Sequence, residues 1–229
     1  MTRFRLVLFV GFAAILAAIC VRLGFWQVSR LHQRRAHNAL VRSRLDSAEV
    51  DLSALPGDST ARFRRVRLTG TPDYEHQLIW AARIHNGSPG VNFLTPYRIP
   101  GHDSAVLVDR GWVYSPDGAT IDETKWRDTA TTLTGFVELY PDVKGTTFVS
   151  RPSVVSRLSY DVVAKALPYP LAHRYVAMIG DSVMAPDRIA RLTLPPLDEG
   201  PHFSYAIQWF SFALVALIGV AYVVSRPRE

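Results

Sequence analysis

Two long apolar runs, one near each end of the chain, dominate its hydrophobic pattern. The first, Leu6–Val21, contains no charged residue. Taken as residues 4–26, it covers about 33 Å as a helix, which matches the hydrocarbon core of a bilayer. The second, Phe203–Val224, is also uncharged throughout. The pattern therefore predicts transmembrane helices over residues 4–26 and 203–224.

The first run has two competing interpretations as a cleaved leader. A secretory signal peptide needs an Ala-x-Ala site, and no clean one follows the run. A lipoprotein signal would use Cys20, but the bulky Ile19 before it fits poorly. Because the run begins at residue 6, no room remains for a mitochondrial presequence, and we expect a bacterial chain.

Two spans place both chain ends on the same side of a membrane. The segment between them, residues 27–201, far exceeds the roughly 60 residues over which loop charge controls orientation. We therefore expect cytoplasmic termini and an extracytoplasmic central domain, in a bacterial cytoplasmic (inner) membrane. The flanking arginines argue both ways: Arg3, Arg5, Arg226 and Arg228 favour this orientation, and Arg30, Arg34, Arg35, Arg42 and Arg44 oppose it.

The central segment changes from a helical to a β pattern along its length. An arginine-rich stretch without a helix breaker predicts a helical stalk over Arg30–Leu45. Alternating apolar residues and turn signals, such as Asn86-Gly87, then predict short strands, with one helix at Tyr160–Leu167 capped by Ser159. The fold class expected is a mainly antiparallel, β-barrel-like α+β domain between two membrane helices. The predicted strands are 64–69, 78–84, 91–98, 105–114, 131–139 and 175–179. The strand over 105–114 is interrupted at Asp109-Arg110-Gly111.

Composition narrows the choice of partner and of chemistry. The chain carries 26 Lys+Arg against 20 Asp+Glu, and 48% of its residues are hydrophobic. Because the apolar residues are concentrated in two spans, the excess of basic residues indicates that the chain binds lipid rather than nucleic acid. Cys20 alone cannot form a disulfide framework or a cysteine zinc cluster. No nucleophile elbow, Walker loop, dinucleotide fingerprint or His-Glu-x-x-His motif is present, and we expect no enzyme.

His202 stands out because it opens the second apolar run. On a helical wheel it shares one side with small and aromatic residues, a face suited to another helix or a flat ligand. A separate bulky ridge, including Phe210, suits lipid. The residues on the side of His202 are Tyr205, Ala206, Trp209, Ala213 and Ala216.

The first run offers a matching side. Gly11, Ala14, Ala18 and Arg22 align on it, with Trp26 near the same interface. Such a pocket contains the parts of a haem site, with His202 on the iron and Arg22 on a propionate. The alternative is an interfacial histidine that only anchors the helix.

Three motifs, in order, resemble the surfeit-locus (Surf/Shy) family of cytochrome c oxidase assembly factors. Residues 23–30 (LGFWQVSR) are similar to its Leu-Gly-x-Trp-Gln-x-x-Arg, and residues 108–113 (VDRGWV) to its Val-x-Arg-Gly-Trp-Val. Residues 201–210 (PHFSYAIQWF) resemble Asn-His-x-x-Tyr-Ala-x-Thr-Trp-Phe. The differences include Pro201 and Gln208, where the family has Asn and Thr; the histidine is retained.

The resemblance implies an accessory protein of the respiratory chain that holds haem A on its way into oxidase subunit I, with haem A synthase as a further partner. It favours His202 as the haem ligand, within a set of cofactor-binding residues. Gly24 is expected to allow close packing and Gln27 to donate a hydrogen bond. Arg110, Gly111 and Trp112 either maintain the domain fold or form a partner surface. The predicted cofactor-binding set is His202, Tyr205, Trp209, Arg22, Trp26 and Gln27.

Two other functions stay open. A membrane scaffold without a cofactor would hold oxidase subunits through the β domain. An envelope enzyme would need a nucleophile–base pair near His76, His85 or His173.

Overall fold

The computed structural model describes residues 3–57, 59–142, 149–151, 153–180, 182–192 and 197–226. Within it the chain divides into two compact units. Met1–Arg42 and Pro196–Glu229 form the first unit, which is helical, and Ser43–Pro195 form the second, which contains the sheet.

The helix predicted across the first apolar run continues without interruption through the predicted stalk. Helix α1 spans Arg3–Leu45 and contains no proline. Its 43 residues rise about 65 Å, roughly twice the thickness of a bilayer core. Helix α2 spans Tyr160–Ala166, and α3 spans His202–Ser225. Both α1 and α3 are long and apolar enough to cross a membrane.

The second unit is built on one mixed sheet. Its strand order is β1-β2-β7-β10-β6-β5-β4-β9-β8, with β3 paired to β5. The pairs β1–β2, β10–β6 and β4–β9 are parallel and the others antiparallel. The strands are β1 (Val50–Asp51), β2 (Arg65–Thr69), β3 (Thr71–Pro72), β4 (Leu78–His85), β5 (Ser88–Arg98), β6 (Ala105–Tyr114), β7 (Thr132–Leu139), β8 (Val149–Arg151), β9 (Val154–Val155) and β10 (Leu171–Met178).

The mainly antiparallel character is confirmed, but the barrel-like closure is wrong for the described strands. Closure needs the first and last strands of the sheet to pair, and β1 and β8 end the order without pairing to each other. Local alternation cannot reveal this, because it reports one strand at a time whereas closure depends on long-range registers.

The predicted local features of the sheet are largely present. Val66 and Leu68 are buried on one side of β2. Strands β4 and β5 form a hairpin, and positive φ angles of 49° at Asn86 and 80° at Gly87 are those of its two-residue turn. Ser159 takes the N-cap position of α2 with an extended backbone, but its side chain makes no capping hydrogen bond.

Strand β6 continues through the expected interruption at Asp109–Gly111 by forming a bulge. Asp109 pairs with Leu94, but Gly111 pairs with Phe93, so Arg110 is the extra residue. Gly111 has a φ of 112°, and its N–H donates to Asp109 Oδ1 at 3.0 Å. The bulge helps bury consecutive side chains, and every residue from Ala105 to Val113 is buried.

Candidate functional site

His202, the first residue of α3, is hydrogen-bonded to α1 through Gln27. Nδ1 of the imidazole lies 2.8 Å from Oε1 of Gln27. An amide oxygen only accepts hydrogen bonds, so in this contact Nδ1 carries the proton. Nε2 of the neutral ring is then left with its lone pair. Gln27, expected to donate a hydrogen bond, accepts one here.

The segment that leads into α3 is fastened to α1 by charged and polar side chains. Arg35 donates twice to the carboxylate of Glu199, with both distances 2.9 Å. These bonds, and the charge of Arg35, lower the pKa of Glu199. The backbone carbonyl of Asp198 accepts from Arg34 at 3.1 Å and from Asn38 at 2.8 Å. The chain is thus held to α1 immediately before His202.

Gly24, three residues before Gln27, brings the two helices into close contact. A Cβ atom at this position would lie 2.6 Å from Cε1 of Phe210, as expected of a close-packing residue. Phe25 meets Phe210 edge-to-face with ring centroids 5.3 Å apart. The prediction that Phe210 belongs to a lipid-facing ridge is therefore wrong: it lies between the helices.

The predicted side of α3 does pack on α1. Ala213 clusters with Ala17 and Cys20, and Trp209 and Ala216 pack against this cluster. An apolar groove of about 390 Å³ lies alongside. Tyr205 is exposed and does not enter the cluster. The groove is lined by Leu16, Cys20, Trp209, Phe212, Val215 and Ala216.

The side of α1 chosen from the sequence is the wrong one. Gly11, Ala14 and Ala18 are exposed, as is Arg22. Arg22 lies about 140° around the helix from Gln27, so it is not brought to His202. Trp26 is also exposed, and its ring contacts the Arg30 guanidinium at 5.6 Å from the centroid. The buried positions of α1 beside the groove and Gln27 are Ala13, Ala17, Cys20 and Gly24.

Arg110, in the second unit, is a buried cation that fastens a loop to the sheet. Only 1% of its surface is exposed. Its Nη2 donates to the carbonyl oxygen of Trp126 at 2.7 Å and to the Asp128 carboxylate at 2.5 Å. Nη1 lies 3.4 Å from Gln77 Oε1. These contacts support the structural interpretation of Arg110 over a partner surface. Gln77 and Asp128 were missed because nothing in the local sequence indicates that these polar loop residues contact Arg110.

Gly111 and Trp112 belong to the same packed region. Trp112 pairs with Ala190 by two backbone hydrogen bonds of 2.8 and 2.9 Å. Its indole lies against Gly90 and donates to the carbonyl of Arg83 at 3.3 Å. A Cβ atom on Gly111 would lie 2.3 Å from the Ala190 carbonyl oxygen. This motif therefore contributes to the core.

The three histidines considered for an enzyme site, His76, His85 and His173, contact other groups. His76 Nδ1 lies 2.8 Å from Asp73 Oδ2, which also accepts from Tyr169 at 2.7 Å. His85 meets the carbonyl of Ser182, and His173 stacks on a tyrosine ring. In the described part of the chain, no serine, threonine or cysteine side chain is hydrogen-bonded to these three imidazoles, and no cluster of three metal-ligating residues is found.

Two long apolar helices and a mixed sheet domain encoded between them place the chain in a class of two-helix proteins with one sheet domain. The SURF1 family model matches residues 14–214, and the chain belongs to the SURF1 family. Proteins of this family are known in general as oxidase assembly factors.

Two bacterial relatives show the extent of the similarity. An uncharacterised SURF1-like protein of Mycobacterium tuberculosis (strain ATCC 25618 / H37Rv) is 31% identical over 218 residues, which cover 89% of this chain and 79% of that protein. A SURF1-like protein of Rickettsia felis is 25% identical over 216 residues, covering 91% and 92%. The family match, over residues 14–214, includes most of α1, the sheet domain and the first half of α3.

Proposed function

We propose that this chain is an assembly factor for a haem-copper cytochrome c oxidase that holds haem A for insertion into subunit I, with haem A synthase as a further partner. The observation that carries the proposal is the hydrogen bond from His202 to Gln27, which leaves the lone pair on Nε2. The same two helices carry an apolar groove that begins at Trp209, about 10 Å along α3 from His202. Family membership supplies the oxidase context. The chain itself provides binding and orientation, with no covalent step.

The proposal places α1 and α3 in a bacterial inner membrane, with both termini in the cytoplasm. Large apolar side chains such as Phe12, Ile15 and Leu217 are exposed on these helices, where lipid would cover them. Trp26 and Tyr205 near one end suit the interfacial belt. The sheet domain then lies outside the cytoplasm.

The residues present fit a haem ligand in two respects. A neutral imidazole with its lone pair on Nε2 could bind the iron of a haem. The groove beside Trp209 is apolar and would exclude water from a flat macrocycle. When bound, haem supplies an iron centre that accepts the Nε2 lone pair. Arg22 and Trp26 are not brought to this position, so the ligand set proposed is His202 with the groove around Trp209.

Replacing His202 by alanine is expected to abolish specific haem binding. Removing a residue that is hydrogen-bonded to a metal-binding side chain typically lowers metal affinity about 10–100-fold. Removing the metal-binding histidine itself should therefore lower haem affinity by at least about the same factor. The measurement is haem titration of the purified full-length protein, together with reduced-minus-oxidised spectra of membranes from a deletion strain. His32→Ala, an exposed histidine on α1, is the matched control. Equal haem binding and equal restoration of the haem A signal by both variants would contradict the proposal.

The cofactor-free scaffold remains a second candidate because of one surface of the sheet domain. In the described part of this unit, the exposed large apolar side chains are Ile84, Tyr114, Val183 and Met184. Tyr114 and Met184 line a single groove of about 300 Å³. Exposed apolar side chains gathered in this way are typical of protein interaction sites.

The double substitution of Tyr114 and Met184 by serine separates the two candidates. If the domain acts as a scaffold through this surface, we expect loss of copurifying oxidase subunit I while haem affinity and domain unfolding temperature stay unchanged. Both residues are exposed, so little folding energy should be lost. Unchanged copurification would show that this surface does not hold the subunit.

A further inference from the structure

We propose that Gln27 is a positioning residue that selects the tautomer of His202 before any ligand arrives. The inference rests on the proposed function, since it assigns to Gln27 the task of keeping Nε2 ready for iron. It extends the family resemblance, from which Gln27 was expected only as a hydrogen-bond donor. In this structure its side-chain oxygen faces the imidazole as an acceptor.

The position of one proton decides which nitrogen of the neutral imidazole can bind a metal. A neutral imidazole carries one N–H, and the nitrogen without it is the one that can bind a metal. With Gln27 Oε1 at 2.8 Å, the proton is held at Nδ1. With the amide oriented as in this structure, the opposite tautomer would set two lone pairs against each other at this contact. An amide turned over to donate its NH2 would instead favour a proton on Nε2, which is the outcome that the NMR experiment below distinguishes. The amide therefore favours the form in which Nε2 is unprotonated.

Burial strengthens this preference. Gln27 is 8% exposed, so water has little access to replace the imidazole as its partner. A hydrogen bond in such surroundings is stronger than one in bulk water, and a missing partner is correspondingly costly. The amide and the imidazole thus specify each other across two helices.

The surrounding backbone restricts the position of the imidazole. Glu199 and Asp198 are held on α1 by Arg35, Arg34 and Asn38. One residue further on, Gly200 turns the chain with a φ of 67°. Because His202 is tethered through both its backbone and Nδ1, little ordering remains to be done when a ligand binds.

A hydrogen bond accepted from Nδ1–H also makes Nε2 a better donor toward iron. Gln27→Leu should therefore weaken haem binding about 10–100-fold. This is the typical loss when the residue hydrogen-bonded to a metal-binding histidine is removed. Gln27→Glu keeps an acceptor of similar shape and strengthens it by charge. We expect this variant to retain haem affinity and to lower the iron midpoint potential.

The first experiment needs no haem. The full-length protein, with ¹⁵N-labelled histidine and in detergent micelles, is studied by NMR at a fixed pH at which His202 is neutral, and its resonances are assigned by comparison with His202→Ala. Nitrogen shifts showing a protonated Nδ1 in the wild type, and an increased Nε2–H population in Gln27→Leu, would support the proposal. A wild-type resonance with the proton on Nε2 would overturn it, whatever the protein binds.

The second experiment titrates haem into wild type, Gln27→Leu, Gln27→Glu and Gln33→Leu. Gln33 is an exposed glutamine on the same helix, bonded to Arg30, and its substitution controls for the loss of an amide. Weaker binding in Gln27→Leu alone, with rescue by glutamate, supports the proposal. Equal affinity of Gln27→Leu and wild type overturns the role of Gln27 but leaves the proposed function intact. Failure of wild type itself to bind haem overturns the proposed function, and this role with it.

Discussion

Arg110→Met is expected to destabilise the sheet domain by about 2–4 kcal/mol. Breaking a buried ion pair typically costs about 3–5 kcal/mol. We reduce that figure because the side chain of Asp128 is 40% exposed and can regain water. The carbonyl of Trp126, which accepts from Arg110 at 2.7 Å, would lose a charged donor.

The measurement is amide hydrogen exchange of β5, β6 and residues 123–130 in the full-length protein in detergent, which reports local opening free energies. Arg127→Met removes an exposed arginine from the same loop and should change protection by no more than about 0.5 kcal/mol. Similar protection in both variants would mean that Arg110 contributes little to folding. In that case the partner-surface interpretation would regain its place.

Gly111→Ala is expected to destabilise the sheet domain by about 2–6 kcal/mol. An L-residue at a φ of 112° is strained by about 1–3 kcal/mol. In addition, the new Cβ would lie 2.3 Å from the carbonyl oxygen of Ala190, a backbone atom that cannot swing away as a side chain can. Overpacking of this kind adds about 1–3 kcal/mol. The Trp112–Ala190 pairing should open as a result.

Gly118→Ala is the control that distinguishes backbone strain at a positive φ from the steric clash of the new methyl group. Gly118 also has a positive φ, 65°, but the nearest atom to its new Cβ is 3.6 Å away. It should therefore cost only about 1–2 kcal/mol. Thermal unfolding followed by near-ultraviolet circular dichroism compares the two, and hydrogen exchange at Ala190 detects the broken pairing. Equal losses would indicate that the segment carrying Ala190 shifts to accommodate the methyl group.

The elements predicted most accurately are those with a strong local pattern. The helical character of residues 4–26 and 30–45, the Asn86-Gly87 hairpin and the strand Ala105–Tyr114 all follow from short-range periodicity and turn chemistry. The bulge at Arg110 was detected only as an interruption. Its consequence, a buried guanidinium, needed the register against β5. The barrel-like closure failed for the same reason, since pairing between distant strands leaves no trace in local alternation.

In the candidate site, too, some features follow from the local sequence and others depend on tertiary contacts. The side of α3 that carries His202 could be found because three alanines recur on it beside Tyr205 and Trp209. On α1, small residues occupy two neighbouring sides, so Ala14 and Ala18 are as plausible as Ala17 and Cys20. Contact between Gly24 and Phe210 selects the second pair. That choice moves Arg22 away from His202.

The sequence by itself determined the two apolar helices, the β character of the domain between them, the family resemblance and the importance of His202. Each depends on residue type and on spacing along a few turns. Only the tertiary structure decided that Gln27 accepts from His202 and that Arg110 is buried. Both outcomes follow from contacts between residues far apart in the chain, where burial and hydrogen-bond geometry, rather than local pattern, set the role of a side chain.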